Sequence, residues 1–221
     1  MNNTVYTYYD GIYEENGEAL SDNAKIQHIL LNKWKRSWAK QGWCPKVLTE
    51  HDAASHPFYE EFKQRYSRLP TANMPEYEMA CYLRWLAVAA KGGGFMSDYD
   101  VINYSFKPVK PQDDLVIYES HPEREQVTPS VVGGTANGFN MAASIFAACE
   151  PDNVRMDEGD KPHTSDMIIL QHFASRNFYT ICPIVRQYRH DGWKDAPLVH
   201  YSHASTECLD RPLFASASRT I

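Results

Sequence analysis

The chain has 221 residues, 43% of them apolar and 23% charged, with a formal net charge of −6. That length suits one domain with a full hydrophobic core, and the composition is globular rather than disordered. No run approaches the roughly 20 apolar residues that cross a bilayer, no Lys/Arg cluster suits a nucleic acid, and the polar start MNNTVY lacks a signal-peptide pattern, so a soluble cytoplasmic protein with no transmembrane segment is expected.

Residues 5–8 (VYTY) form a β-rich run that Asp10 and Gly11 break. A helix follows. Ser21 can cap it, Ile26, Ile29, Leu30, Trp34 and Trp38 recur at helical spacing, and Gly42 and Pro45 end it. Val47 and Leu48 mark a second strand. Residues 51–65 read as helix in pieces, interrupted at Pro57. A stronger helix starts near Asn73 with Pro75 in its first turn. Met79, Leu83, Leu86, Ala87 and Ala90 mark its buried face, and Gly92, Gly93 and Gly94 stop it. Phe95 and Met96 then form a brief strand that leads into Ser97-Asp98-Tyr99-Asp100.

The second half is less regular. Residues 115–118 (LVIY) are a strand. Val131 and Val132 lead into the glycine-rich segment GGTANG at 133–138, with no strong strand-helix pair around it. Residues 141–149 and 163–173 are short helices, the latter capped by Thr164 or Ser165. Residues 181–185 and 198–201 are late strands. Cys44, Cys81, Cys149, Cys182 and Cys208 form no CxxC pair and read as reduced, buried thiols. Strands alternating with helices predict an α/β domain over 1–221, with a central, mostly parallel sheet flanked by helices. The irregular second half would carry loops.

Two carboxylates one residue apart, Asp98 and Asp100, can converge on a single ion where the chain turns. Hard divalent cations favour oxygen ligands, and two carboxylates offset much of the ionic charge. The preceding helix, glycine break and strand put the pair at a strand's carboxyl end, where open α/β sheets bind ligands. An acidic protein also needs a local cation before it can hold a phosphorylated substrate.

The segment CYLRWLAVAAKGGGFMSDYDV, residues 81–101, resembles the DXD region of glycosyltransferases with the GT-A fold. It is most similar to the sugar-binding segment shared by mannosyl- and galactosyltransferases of yeast and bacterial type. Arg84-Trp85, Gly92-Gly93-Gly94, Phe95-Met96 and Asp98-x-Asp100 match that pattern in order and spacing. The family often has an Asp three residues before the Arg, where this chain has Cys81.

The resemblance implies a metal-dependent transferase that moves a sugar from a nucleotide-diphosphate donor to a carbohydrate or protein-linked hydroxyl. UDP is the expected nucleotide, with GDP open. Asp100 would bind the metal directly, and Asp98 would touch the metal and the ribose, with Tyr99 beside the nucleotide. Arg84 would reach the donor sugar or diphosphate, or else form a helix-surface salt bridge. Thr7, Tyr8, Tyr9 and Asp10 stand where the first strand cradles base and ribose, although tyrosines at a strand end also serve as core or rim. A late histidine completes the metal shell in such enzymes: His200, in Val-His-Tyr, with His203 as alternate. Mixed imidazole and carboxylate suits Mn²⁺ better than Mg²⁺. His190, His200 and His203 match no common zinc spacing. Asn137 would bond sugar hydroxyls, or lie in an ordinary turn. Asp166 would be the base in an inverting reaction, or cap its helix, with Asp152, Asp157, Glu158 and Asp160 as alternatives. Residues 1–104 would bind the nucleotide and 105–221 face the acceptor. Compact enzymes of this kind occur in bacteria and in large viruses, which would act in the host cytoplasm. The rival readings are a metal-dependent nucleotidyltransferase, which usually adds a basic glycine-rich loop near the N-terminus, and a sugar-binding module, which needs neither the DXD pair nor the histidine.

Overall fold

A computed structural model gives the fold and describes residues 3–11, 22–121, 126–150, 152, 156–158, 161–189 and 191–202. Ser21, Asp160, His190, His203 and Cys208 lie outside the described residues, as do the side chains of Asp157 and Glu158. The first half runs β1 (Thr4–Tyr8), α1 (Asp22–Lys40), β2 (Cys44–Leu48), α2 (Glu50–Ala53), α3 (Tyr59–Tyr66), α4 (Pro75–Ala90), β3 (Gly93–Ser97) and β4 (Val101–Asn103). The second half runs β5 (Leu115–His121), β6 (Gln126–Thr135), α5 (Ala136–Ala147), β7 (Met156–Glu158), β8 (Lys161–His163), α6 (Asp166–His172), β9 (Thr180–Ile181), β10 (Val185–Gln187) and β11 (Leu198–His200).

Among the described residues the main sheet has six strands in the order β2-β1-β3-β6-β5-β9. β1 is parallel to β2 and β3, and β5 to β9, while β6 is antiparallel to both its neighbours. Side chains alternate across a strand. Tyr6, Met96, Ile117 and Val132 therefore enter one core with α3, α4 and α5, while Val5, Phe95, Val116 and Val131 enter another with α1. The sheet is covered on both faces, as expected of an α/β fold. A second, three-stranded sheet joins β10, β11 and β4.

Helix α1 holds the end of β3 and the loop beyond it. Trp34 Nε1 donates to Ser97 Oγ (3.2 Å), Trp38 Nε1 to the carbonyl of Val101 (3.0 Å) and, one residue past the helix, Gln41 Nε2 to that of Tyr104 (2.8 Å). Trp43 Nε1, just past the helix, donates to the carbonyl of Phe106 (2.8 Å). The aromatic stripe read from the sequence thus serves as core and also fixes the backbone around the two aspartates. Ile29, placed on that stripe by spacing, is exposed, and Ile26 is half-buried. The buried face instead follows Gln27, Leu30, Leu31, Trp34, Ser37 and Trp38.

Helix α4 is covered on most sides: Tyr82, Leu83, Trp85, Leu86, Ala87, Val88 and Ala89 are all buried, while Met79 and Ala90 are only partly so. It stops at Gly92, whose φ of +90° disfavours any side chain.

The second half is more regular than its sequence suggests and supplies three strands of the main sheet. The segment GGTANG is not an ordinary turn but the end of a strand and the start of a helix. β6 runs through Gly133 and Gly134 to Thr135, whose side chain accepts from Gly138 N and caps α5. A Cβ on Gly134 would stand 2.4 Å from the carbonyl oxygen of Asp114, and one on Gly138 only 1.9 Å from it. Residues 181–185, read as one strand, divide between β9 and β10. Pro183 has no N–H for the ladder. Ser165 caps α6 by accepting from Ile168 N (3.3 Å). Cys44, Cys81, Cys149 and Cys182 are free thiols, with Cys44 exposed and the other three half-buried rather than buried.

Candidate functional site

A cleft of about 460 Å³ opens beyond the carboxyl ends of β1 and β3. Tyr8, Tyr9 and Asp10 border it after β1, and Asp98, Tyr99 and Asp100 after β3. One stripe of α4, including Tyr77, Cys81 and Arg84, forms a wall. His163 faces it from the end of β8, Ser165 and Asp166 from the start of α6, and His200 from β11.

The turn at 98–100 is fixed by its backbone. Asp98 N donates to the carbonyl of Ser130 (2.7 Å), and Val101 N to that of Asp98 (3.1 Å). Tyr201 N donates to the carbonyl of Asp100 (3.0 Å), and the antiparallel register of β4 and β11 sets His200 opposite Val101. His200 is thereby brought to the aspartates across a hundred residues of sequence. One ligand atom each from Asp98, Asp100 and His200 all lie within 4.8 Å of one another. Two carboxylate oxygens and an imidazole nitrogen at this spacing could hold a divalent metal ion.

His200 is oriented from behind. Its Nδ1 lies 2.8 Å from Glu119 Oε2, and its Nε2 lies 3.4 Å from Asp100 Oδ1. Glu119 is fully buried, at a register shift in the pairing of β5 with β6. Such an irregularity re-aims a side chain. Its carboxylate also takes Ser130 Oγ–H and a contact from His121 Nε2 (3.0 Å). Burial alone would raise the Glu119 carboxyl, but the charge of His200 and the hydrogen bonds of His121, His200 and Ser130 hold it well below the usual carboxylate range. Burial would lower the His200 pKa, yet Glu119 and Asp100 outweigh that and raise it well above its ordinary value.

Arg84 bridges two acids. Its Nη1 pairs with Asp98 Oδ1, and its Nη2 donates to Asp166 Oδ2 at 2.7 Å. Trp85 Nε1 donates to the same Asp166 oxygen at 2.9 Å. This ion pair is buried in the cleft wall, not a helix-surface one. Burial pushes the Asp98 carboxyl up to about 6; Arg84 opposes this, and Asp100 adds to it. Burial also pushes the Cys81 thiol up, so the position bears no anion beside Arg84.

The structure thus gathers Tyr8, Tyr9, Asp10, Arg84, Asp98, Tyr99, Asp100, Asp166 and His200 around one cleft. Tyr9 meets Tyr99 edge-on, with ring centroids 5.7 Å apart, and Tyr99 OH donates to Gln27 Oε1. Asp10 Oδ1 accepts from Glu50 N at the start of α2 (3.0 Å). Two expected members lie elsewhere. Thr7 is buried in β1, on the face away from Tyr8, and does not border the cleft. Asn137 is exposed in the first turn of α5. The antiparallel register pairs Thr135 with Gly93 and Val131 with Ser97, so Asn137 follows the end of β6 farthest from the aspartates. Asp152 is exposed and does not border the cleft either. Glu119 and Ser130 join this group only through the fold. The available signal was a carboxylate closing the apolar run LVIYE.

No helix among the described residues is long and apolar enough to cross a membrane. No curated protein matches the sequence. One solved structure, titled "crystal structure of a glycosyltransferase involved in the glycosylation of the major capsid of PBCV-1", aligns over 96% of this chain and 98% of its own, with a TM-score of 0.52 and 10% identity. That likeness shows the fold. The family defined as "Domain of unknown function (DUF8765)" matches residues 1–119. With more than half of its length matched, the chain belongs to the DUF8765 family.

Proposed function

We propose that the protein is a metal-dependent glycosyltransferase that moves a sugar from a nucleotide-diphosphate donor, UDP first, to a carbohydrate or protein-linked hydroxyl. The observation that carries this reading is the convergence of Asp98, Asp100 and His200 in a cleft at the carboxyl ends of two parallel strands. The fold shared with a solved glycosyltransferase supports it. Mn²⁺ held by these three residues supplies positive charge for a leaving diphosphate.

The chain's own residues divide the remaining work. Tyr9, Tyr99 and Asp10 border the part of the cleft assigned to base and ribose. Arg84 holds Asp98 and Asp166 in place and adds a fixed cation to the wall. As the acceptor oxygen bonds to the anomeric carbon, the bond from that carbon to the diphosphate breaks, and the acceptor's proton goes to Asp166. Asp166 Oδ2 is committed to Arg84 and Trp85, which leaves Oδ1 for that proton.

The first test is calorimetry with UDP. Binding is expected with Mn²⁺ and should weaken at least about tenfold with EDTA, a difference of about 1.4 kcal/mol. Equal affinity in both conditions overturns the reading. The second test concerns Asp166. Asp166→Asn should slow transfer by about 10²-fold, the lower range for a positioned base. The product anomer, read by NMR, should be inverted. A retained configuration removes Asp166 from that role.

A further inference from the structure

The cleft continues along α4 past the metal group, and its wall there holds polar groups that the proposed reaction does not use. Glu78 is only 4% exposed, in a helix whose other faces are largely apolar, yet it borders the cleft. Asn73 Nδ2 donates to its Oε2 at 3.0 Å, and Asn73 borders the cleft as well. His163 is 8% exposed and borders the cleft from the other side. Its Nδ1 accepts from Ala72 N at 3.2 Å and lies 3.4 Å from Thr71 Oγ1. A ring nitrogen that accepts from an amide carries no hydrogen, so in the neutral ring Nε2 carries it. Among the described residues that Nε2 has no hydrogen-bond partner.

The two sides are tied together. Thr164 N donates to the carbonyl of Pro70 (2.8 Å), and Tyr82 OH to that of Thr164 (3.0 Å). A buried carboxylate and an N–H donor are thus fixed on joined walls before any ligand arrives. A cation would suit the carboxylate but not the N–H. A sugar hydroxyl suits both, since it donates to the one and accepts from the other. Six residues of helix set Glu78 about 9 Å along the axis from Arg84. That span leaves room for a sugar ring beyond a diphosphate at the metal.

We infer that Glu78, Asn73 and His163 form a subsite that reads the hydroxyls of a neutral pyranose, carried by the donor nucleotide or by the acceptor. The inference rests on the glycosyltransferase reading and names the substrate chemistry of that same cleft.

The test uses the full chain with Mn²⁺, as wild type, Glu78→Gln and His163→Gln. Calorimetry compares UDP, UDP-glucose, UDP-galactose, UDP-N-acetylglucosamine and UDP-glucuronate. UDP should bind all three proteins alike, which also checks that the variants are folded. The neutral UDP-sugar that binds wild type best should lose about tenfold to a hundredfold in each variant, the range for a hydrogen bond to a charged group. If UDP-sugars bind all proteins alike and KM for the acceptor rises in the variants, the hydroxyls read are the acceptor's. Wild-type donor affinity and wild-type acceptor KM in both variants overturn the subsite. If wild type binds no UDP with Mn²⁺, the transferase reading fails separately. Methyl pyranosides titrated by NMR then decide the subsite alone: binding by wild type but not by the variants keeps it, and no binding removes it.

Discussion

Asp100→Asn is expected to cut sugar transfer by at least about 10²–10³-fold, the loss seen when one preorganised stabiliser of a developing charge is removed. Asp100 is buried, and its carboxylate belongs to the three-residue metal group. Asparagine keeps the side-chain shape but drops the charge that holds a divalent cation. The backbone should remain as it is, because the bond from Tyr201 N is to the main-chain carbonyl of Asp100 and does not depend on the side chain. His200 keeps its bond to Glu119. The melting temperature in EDTA should therefore move by no more than about 3 °C, the size of a 1 kcal/mol change in a chain of this length. Mn²⁺ affinity, followed by paramagnetic resonance, should fall in parallel with activity. Turnover at the wild-type rate would remove Asp100 from the site. Asp98→Asn is a less clean test, because Asp98 also anchors Arg84 and through it touches Asp166.

Much of the fold was legible where one period dominates. The α1 stripe and the pieces of residues 51–65 were readable because each buries one apolar face. The Asp98 turn was readable because short-range features announce it: a long helix, a glycine stop and a brief strand. The segment GGTANG looks like a turn and is the junction of a strand and a helix, for a physical reason. Glycine marks turns by its backbone freedom, but Gly134 and Gly138 are required here by the close approach of Asp114, a contact no local pattern reveals. The resemblance assigns Asn137 to sugar hydroxyls, but the antiparallel pairing of β6 with β3 carries it past the end of β6 farthest from the aspartates. Glu119 escaped for a similar reason. Its partners Ser130 and His200 stand 11 and 81 residues away, and only the pairing of β5 with β6 and of β4 with β11 assembles them.

Glu119→Ala is expected to produce the largest loss of stability. It leaves His200 buried without its main counter-charge, and it strips Ser130 and His121 of their acceptor. Removing one member of a buried ion pair costs about 3–5 kcal/mol, which is about 10 °C in melting temperature for a chain of this size. The pH dependence follows from the directions of the two shifts. The His200 pKa is raised above 6.5 in the folded protein, so its share of the stability is complete below 6.5 and fades as pH rises through the raised value. The Glu119 pKa is depressed below 4.5, so its share is present above 4.5 and fades as pH falls through the depressed value. The gap between wild type and variant should therefore be widest at about pH 4.5–6.5 and narrow toward alkaline pH. Metal binding adds a second signature. Glu119 orients His200 in the manner of a carboxylate behind a metal-bound imidazole, and loss of such a partner weakens metal affinity about 10–100-fold. Glu119→Gln separates orientation from charge. The amide oxygen can still accept from Nδ1–H, but the His200 pKa should drop, because the charge of Glu119 that raises it is gone. A proton competes with the metal for the same imidazole. Mn²⁺ affinity should rise with pH until His200 has lost its proton, and it should level off at a lower pH in Glu119→Gln than in wild type. Identical melting curves and identical Mn²⁺ profiles in the two variants and wild type would mean that Glu119 neither holds His200 nor supports the metal group.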